Sequence, residues 1–298
     1  MAKNNVYDAI TDNIVRLLEQ DIIPWQKEWE TGSHIMPINH TSNRVYSGPT
    51  NVLQLWATQM IHDYKHNRWL TFKAAQALGF RVRKGEKATL VTYSDRKERE
   101  NKETGEVERY WYMIPYHVFN VAQVEGLVES IEEDINDYVH PAEDIALADR
   151  LPLALGVTRK EGEPSYSPTT DILRMPDCAR FKTTNGYMAT LAHECVHATG
   201  HNKRCNRDLT GRFGDEHYAM EELIAEIGAA FITAQWGLNN QLENHASYVK
   251  NWLKVLKNDN KAIFDAARMA KKATDYIEES LRLTNVEPQD SSLITNVA

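Results

Sequence analysis

Thr190-Leu-Ala-His193-Glu194-Cys-Val-His197-Ala-Thr-Gly200-His201 carries the densest chemical signal in the chain. Leu191, Ala192, Cys195 and Val196 recur at helical spacing, and Gly200 stands where a helix would close in a left-handed residue. On such a helix His193 and His197 lie one turn apart on one face, so two imidazole nitrogens reach the same cation. Glu194 lies about 100° further round. It falls outside the ligand set there, but is placed to hold and deprotonate a water beside the metal.

The pentad H-E-x-x-H, common to zinc hydrolases, fixes only three positions and recurs in unrelated chains, so a third ligand downstream is what gives it weight. Tyr218-Ala-Met-Glu-Glu-Leu-Ile-Ala-Glu-Ile-Gly-Ala-Ala-Phe231 predicts the helix that supplies it. Met220, Leu223, Ile224, Ile227 and Phe231 form a core-facing stripe. Glu222 and Glu226 share another face with Ala219, Ala225 and Ala229, and small residues around two acids admit a second helix closely. Glu221 points away from that face and is expected in solvent. The outcome is a two-histidine, one-carboxylate Zn2+ site with water in the fourth position, Mn2+ being another ion such donors accept. Glu222 and Glu226 both qualify as the carboxylate. His201 and His217 are weaker competitors, and together with Tyr218 they are candidate donors to a transition-state oxyanion.

Composition places the chain among soluble globular proteins long enough for two domains: 298 residues, 42% apolar and 26% charged. No apolar run approaches the roughly 20 residues of a membrane span. The start, Met-Ala-Lys-Asn-Asn, is not that of a signal peptide. Cys178, Cys195 and Cys205 are odd in number, which argues against a disulfide framework and for a cytoplasmic protein.

The net charge of −8 is unevenly spread. Lys65, Arg68, Lys73, Arg81, Arg83, Lys84 and Lys87 face a single acid, Glu86, whereas residues 125–150 hold nine acids and one base. Local charge decides what a surface attracts. Single-stranded nucleic acid needs rings for its bases and cations for its phosphates. The candidates are Arg44, Trp69, Lys73, Arg81, Arg83, Lys84 and Lys87, with Phe72, Tyr93 and other aromatics among them.

In chain order, residues 6–20 and 52–64 read as amphipathic helices, and 36–51 as an ordered loop. Residues 69–79 read as a short helix capped by Thr71, and 80–93 as a β-hairpin around Lys84-Gly85. A charge-dense mobile connector over 95–109, a strand over 110–120 and an acidic linker follow. Beyond the linker come a helix from Ala142, an extended segment over 166–176, the two helices above and two tail helices. Residues 285–298 are expected to fray.

Pro24-Trp-Gln-Lys-Glu-Trp29, Pro37-Ile-Asn39, Tyr46-Ser-Gly48, Arg68-Trp-Leu-Thr-Phe72, Gly79-Phe-Arg-Val-Arg-Lys-Gly-Glu-Lys87 and Val118-Phe-Asn-Val-Ala-Gln123 resemble the N-terminal domain of the ArdC-type antirestriction proteins. Ile172-Leu-Arg-Met-Pro176, Gly186–His201, Tyr218–Phe231 and the helix holding Tyr248 and Trp252 resemble their second half. Ser47 departs from the pattern, which has a basic residue there. The resemblance implies an α+β protein of two domains: a single-stranded-DNA-binding domain shared with plasmid primases (1–127), an acidic linker (128–145) and a mainly helical zincin-like metallopeptidase domain with a small sheet (146–298). By likeness to thermolysin-like zincins, Glu222 coordinates and Glu226 orients a histidine, the reverse order remaining open. It also implies a mobile-element protein, carried by plasmids or phages, acting in a bacterial cytoplasm on single-stranded and possibly double-stranded DNA and on an unidentified protein substrate. A DNA-coating protein with a structural or vestigial metal site is the competing reading, and a metal-dependent hydrolase of another substrate, such as DNA, is a third.

Overall fold

The structure, a computed structural model, describes residues 6–26, 36–100, 107–131, 145–212, 214–238 and 246–285. They divide into two compact units, one drawn from Met1–Val139 and Leu253–Asp265, the other from His140–Trp252 and Ala266–Ala298. The architecture is α+β, with the second unit mainly helical.

The first unit runs α1 (Val6–Leu18), β1 (Ile38–Asn39), β2 (Arg44–Val45), α2 (Pro49–His62), β3 (Arg68–Leu70), α3 (Phe72–Ala77), β4 (Arg81–Val82), β5 (Thr89–Glu100), β6 (Val107–Asn120) and β7 (Val124–Glu125). Ile10, Ile14, Leu17 and Leu18 of α1 are buried, as their spacing requires. Five strands form one sheet in the order β2-β1-β3-β6-β5, and Leu55, Trp69, Val91 and Val118 make a core cluster beneath it. Asn51 of α2 joins helix to sheet: its amide donates to Thr92 O at 2.7 Å and accepts from Thr92 N at 2.8 Å. The segment Leu253–Asp265 is held to α1 by Tyr7 against Phe264 and by Thr11 Oγ1 donating to Asn260 O at 2.7 Å.

Several expectations are corrected here. The 80–93 hairpin does not form. A turn at Arg83–Glu86 with Gly85 at φ +92° is present, but its two arms take different partners: β4 pairs with β7, and β5 with β6. The expected connector over 95–109 is largely strand, since the β5–β6 ladder continues from Thr89↔Val118 to Glu100↔Val107, and residues 101–106 lie outside the described residues. Tyr93, Val107 and Ile114 are exposed along this ribbon, so no alternating apolar pattern announces it. Trp69 and Leu70 belong to β3, and the helix starts only after Thr71, whose hydroxyl accepts from Ala74 N. The loop over 36–51 contains the β1–β2 pair, turned at Asn43 with φ +51°. Most of the acidic linker, and the tail from 286, lie outside the described residues.

The second unit contains α4 (Ile145–Ala154), β8 (Thr158–Lys160), β9 (Ser165–Ser167), β10 (Ile172–Arg174), α5 (Thr184–Thr199) and α6 (Glu216–Gln235). To it belong also the first part of α7 (Ala246–Asn258) and most of α8 (Ala262–Asn285). β10 is central, parallel to β8 and antiparallel to β9, which leaves β9 at the edge. Helix α5 starts at Thr183, whose hydroxyl accepts from Gly186 N at 3.0 Å. Gly200 ends it at φ −68°, not in the left-handed region. Its requirement is room: a Cβ there would stand 2.7 Å from Leu209 Cδ2 and 3.0 Å from an Arg207 nitrogen.

α5 and α6 pack against each other, and at their contact a Cβ on Gly228 would stand 2.8 Å from Val196 Cγ2. Both residues are in buried helix interiors, so neither side yields easily. Gly228→Val is expected to destabilise the second unit by about 1–3 kcal/mol through overpacking, read as a lowered chemical-denaturation midpoint, while Gly228→Ala should cost less.

Candidate functional site

α5 presents His193 and His197 on the face it turns toward α6, and α6 presents Glu222. The two Nε2 atoms are 3.1 Å apart. Glu222 Oε2 lies 3.6 Å from His193 Nε2, and its Oε1 3.5 Å from His197 Nε2. Ligands at zinc–nitrogen distances of 2.0–2.1 Å in tetrahedral geometry stand about 3.3 Å apart. The three donors therefore fit one small divalent cation, and among the described residues they are the one such group of histidine, cysteine and acidic side chains. Cysteines play no part: all three are free thiols, and burial pushes the Cys195 thiol up beyond the ordinary range.

The surroundings are strongly acidic. Burial opposes a charge on His193, yet the carboxylates of Glu222, Glu226 and Glu194 outweigh it and raise the imidazole to about 9. Burial likewise opposes ionisation of Glu222, and the two imidazoles with the Tyr218 hydroxyl overcome it, holding the carboxyl well below its usual range. Glu194 is buried beside the cluster, and burial raises its pKa despite the nearby histidines. A backbone hydrogen bond from Tyr166 of the edge strand β9 fixes its carboxylate. Glu226, 2% exposed, brings Oε1 to 3.7 Å from His193 Nδ1.

Glu221 is where the sequence expectation fails. It is buried, accepts from His197 Nδ1 at 3.0 Å and is paired with Arg207. Burial opposes its charge, but Arg207 and His197 keep its pKa below the ordinary value. His217 is exposed, and His201 Nδ1 accepts from Lys203 N, so neither joins the cluster. The Tyr218 hydroxyl pairs with Glu222 and with Tyr248, to which the sequence alone assigns no role.

In the first unit, Arg44, Lys73, Arg81, Lys84 and Lys87 are exposed. Arg83 is also exposed but committed, donating from Nε to Glu86 Oε1 at 3.1 Å and from Nη2 to Ala122 O. Trp69 corrects an expectation: its ring is fully buried and its indole N–H donates to Asn67 Oδ1, so no base can stack on it. Its neighbour Phe72 is 49% exposed and Tyr93 57%. Nothing in the alternation of Trp69 and Phe72 reveals from sequence which ring faces out.

Two family models cover the chain: the N-terminal domain of anti-restriction factor ArdC matches residues 4–121, and a zincin-like metallopeptidase domain matches 147–269. The chain is 35% identical to protein y4eC of Sinorhizobium fredii, over 92% of this chain and 91% of that protein. It is 33% identical to the DNA primase TraC of Escherichia coli over 92% of its own length but spans only 27% of the primase. The crystal structure of the antirestriction ArdC protein from plasmid R388 superposes with a TM-score of 0.76 at 38% identity, covering 94% of this chain and 98% of that one. Its Mn(II)-bound form gives 0.75 at 37% identity, covering 95% of this chain and 100% of that one. Among the described residues no helix is long and apolar enough to cross a membrane.

With His193 raised to about 9, the metal-free cluster holds a proton at pH 7 that a cation must displace. Loading Mn2+ or Zn2+ at neutral pH is expected to release about one proton, and affinity should fall as pH falls, by up to about tenfold per unit below that pKa. Calorimetry in buffers of different ionisation enthalpy measures both; affinity that does not depend on pH below the His193 pKa would contradict the assignment.

Proposed function

The chain belongs to the ArdC antirestriction family, and from that premise we propose that it protects incoming DNA with a single-stranded-DNA-binding unit joined to a metal-dependent peptidase unit. The observation that carries the second half is the convergence of His193, His197 and Glu222 within 4.8 Å of one another, with Glu194 buried at their side. A structural metal needs the first three but not the fourth.

A divalent cation held by the three donors, zinc or the manganese seen in the R388 protein, supplies Lewis acidity toward water and a peptide carbonyl. Glu194 accepts the proton of the attacking water as its oxygen adds to the carbonyl carbon, and delivers that proton to the amine as the C–N bond breaks. Burial, which raises its pKa, suits a group that must both take and return a proton. The N–H of Tyr166 keeps the carboxylate aimed, and Glu226 orients His193. Tyr218, hydrogen-bonded to Glu222, and its partner Tyr248 are our candidate donors to the developing oxyanion. Residues 1–127, 128–145 and 146–298 correspond to the DNA-binding domain, the linker and the peptidase domain.

On the DNA side, Arg44, Lys73, Arg81, Lys84 and Lys87 track phosphates while exposed Phe72 and Tyr93 offer rings to bases. Joining the two units in one chain raises the effective concentration of the peptidase around whatever occupies the DNA.

Glu194→Gln is expected to retain metal and fold, to lose hydrolysis by about 10²–10⁴-fold, and to lose protection when a plasmid is transferred into a restricting host. Full protection by this variant would leave DNA coating as the function. The triple change Arg81→Ala, Lys84→Ala, Lys87→Ala should weaken binding of an oligo-dT strand and lower the slope of log affinity against log salt by about 2, at about 0.7 per lost phosphate contact on single strands. Fluorescence anisotropy across a salt series reads this directly, and an unchanged slope would remove these residues from the interface.

A further inference from the structure

Resting on the metal site proposed above, we infer that Glu221, clamped by Arg207, is a positioning residue for His197. The contacts form one closed set. Glu221 Oε1 accepts from His197 Nδ1 at 3.0 Å. Arg207 meets the same carboxylate in a two-pronged pair, Nη2 to Oε1 at 2.7 Å and Nε to Oε2 at 2.9 Å. The rest of the guanidinium grips the end of α5, with Nη2 donating to Val196 O at 2.7 Å and Nη1 to Thr199 Oγ1 at 2.8 Å. Arg207 and Glu221 are 7% and 10% exposed at their side chains, so solvent does not replace what either loses.

This geometry has a direct consequence for His197. An imidazole that donates its Nδ1 proton to Glu221 must turn the lone pair of Nε2 the other way, toward His193 Nε2 and Glu222 Oε1. The carboxylate thereby selects the tautomer, fixes the ring plane and strengthens the ligand. Arg207 sets where that carboxylate stands, because it is anchored to the helix bearing both histidines while Glu221 sits on α6 beside Glu222. Gly200 leaves the space through which the guanidinium passes, which accounts for a glycine whose backbone angles any residue adopts.

The test is titration of the metal-free full-length chain with Zn2+ and Mn2+. Replacing a buried ion pair by apolar residues of similar size often leaves stability unchanged, so the double variant Glu221→Met, Arg207→Met removes the acceptor while keeping the fold, checked by circular dichroism. It is expected to bind either metal about 10–100-fold more weakly. Glu221→Gln retains an oxygen for the Nδ1 proton and is expected to recover most of the affinity. In 15N spectra of the Zn2+-loaded chain, the His197 Nδ1 proton should resist exchange with water in Glu221→Gln and exchange rapidly in the double variant. Unchanged affinity in a folded double variant overturns the inference, as does a Glu221→Gln variant no better than the double one. His193→Ala separates the two levels: if it too leaves metal binding intact, the metal site itself is refuted rather than the role of Glu221.

Discussion

Two imidazole nitrogens 3.1 Å apart in a buried, carboxylate-rich setting constitute the constraint to which the second unit is built. In the tautomer protonated at Nδ1 each Nε2 bears a lone pair, and two such groups repel unless a proton or a metal ion lies between them. The fold resolves this by surrounding them with acids: Glu222 in reach of both Nε2 atoms, Glu226 and Glu221 behind the two Nδ1 atoms, and Glu194 to one side. Each histidine thus turns Nε2 to the common centre, while Nδ1 of His197 bonds Glu221 at 3.0 Å and Nδ1 of His193 stands 3.7 Å from Glu226, beyond hydrogen-bond distance.

That arrangement needs the two helices in direct contact. Glycine at 228 lets α6 reach Val196, and alanines at 219, 225 and 229 keep the rest of the contact face low. The acids then come from positions 221, 222 and 226 of one helix, so a small rotation of α6 would misplace all three together. Arg207 resists such rotation by binding both helices at once.

The parts of this site that follow a helical period were legible from sequence. His193 and His197 must share a face at spacing four, and Glu222 and Glu226 must share another. Glu221 was not legible, because a helical wheel places it off the ligand face and knows nothing of an arginine fourteen residues upstream that folds over it. Gly200 reads in the sequence as a left-handed helix end, whereas it is needed for close approach. Trp69 and Phe72 illustrate the same limit in the first unit, where an aromatic residue announces buried area without saying which side of a strand or helix it takes. The β5–β6 ribbon escaped because strand pairing is a non-local property, and its charged residues carry no period of two.

Net charge poses an apparent conflict for the proposed DNA-binding role, since −8 should repel phosphate. The range of the forces resolves it. Exposed charges are screened over about 8 Å at physiological ionic strength, so an acid farther away than that would act weakly on a strand lying against Lys73, Arg81, Lys84 and Lys87. Those residues belong to the first unit, while the acids around His193 and His197 belong to the second and are buried, where their fields act on the histidines rather than on solvent. Lowering the salt lengthens the screening distance and lets exposed acids elsewhere compete, which opposes the usual gain in phosphate attraction. The overall charge therefore governs solubility, and the neighbourhood within one screening length governs what the first unit holds.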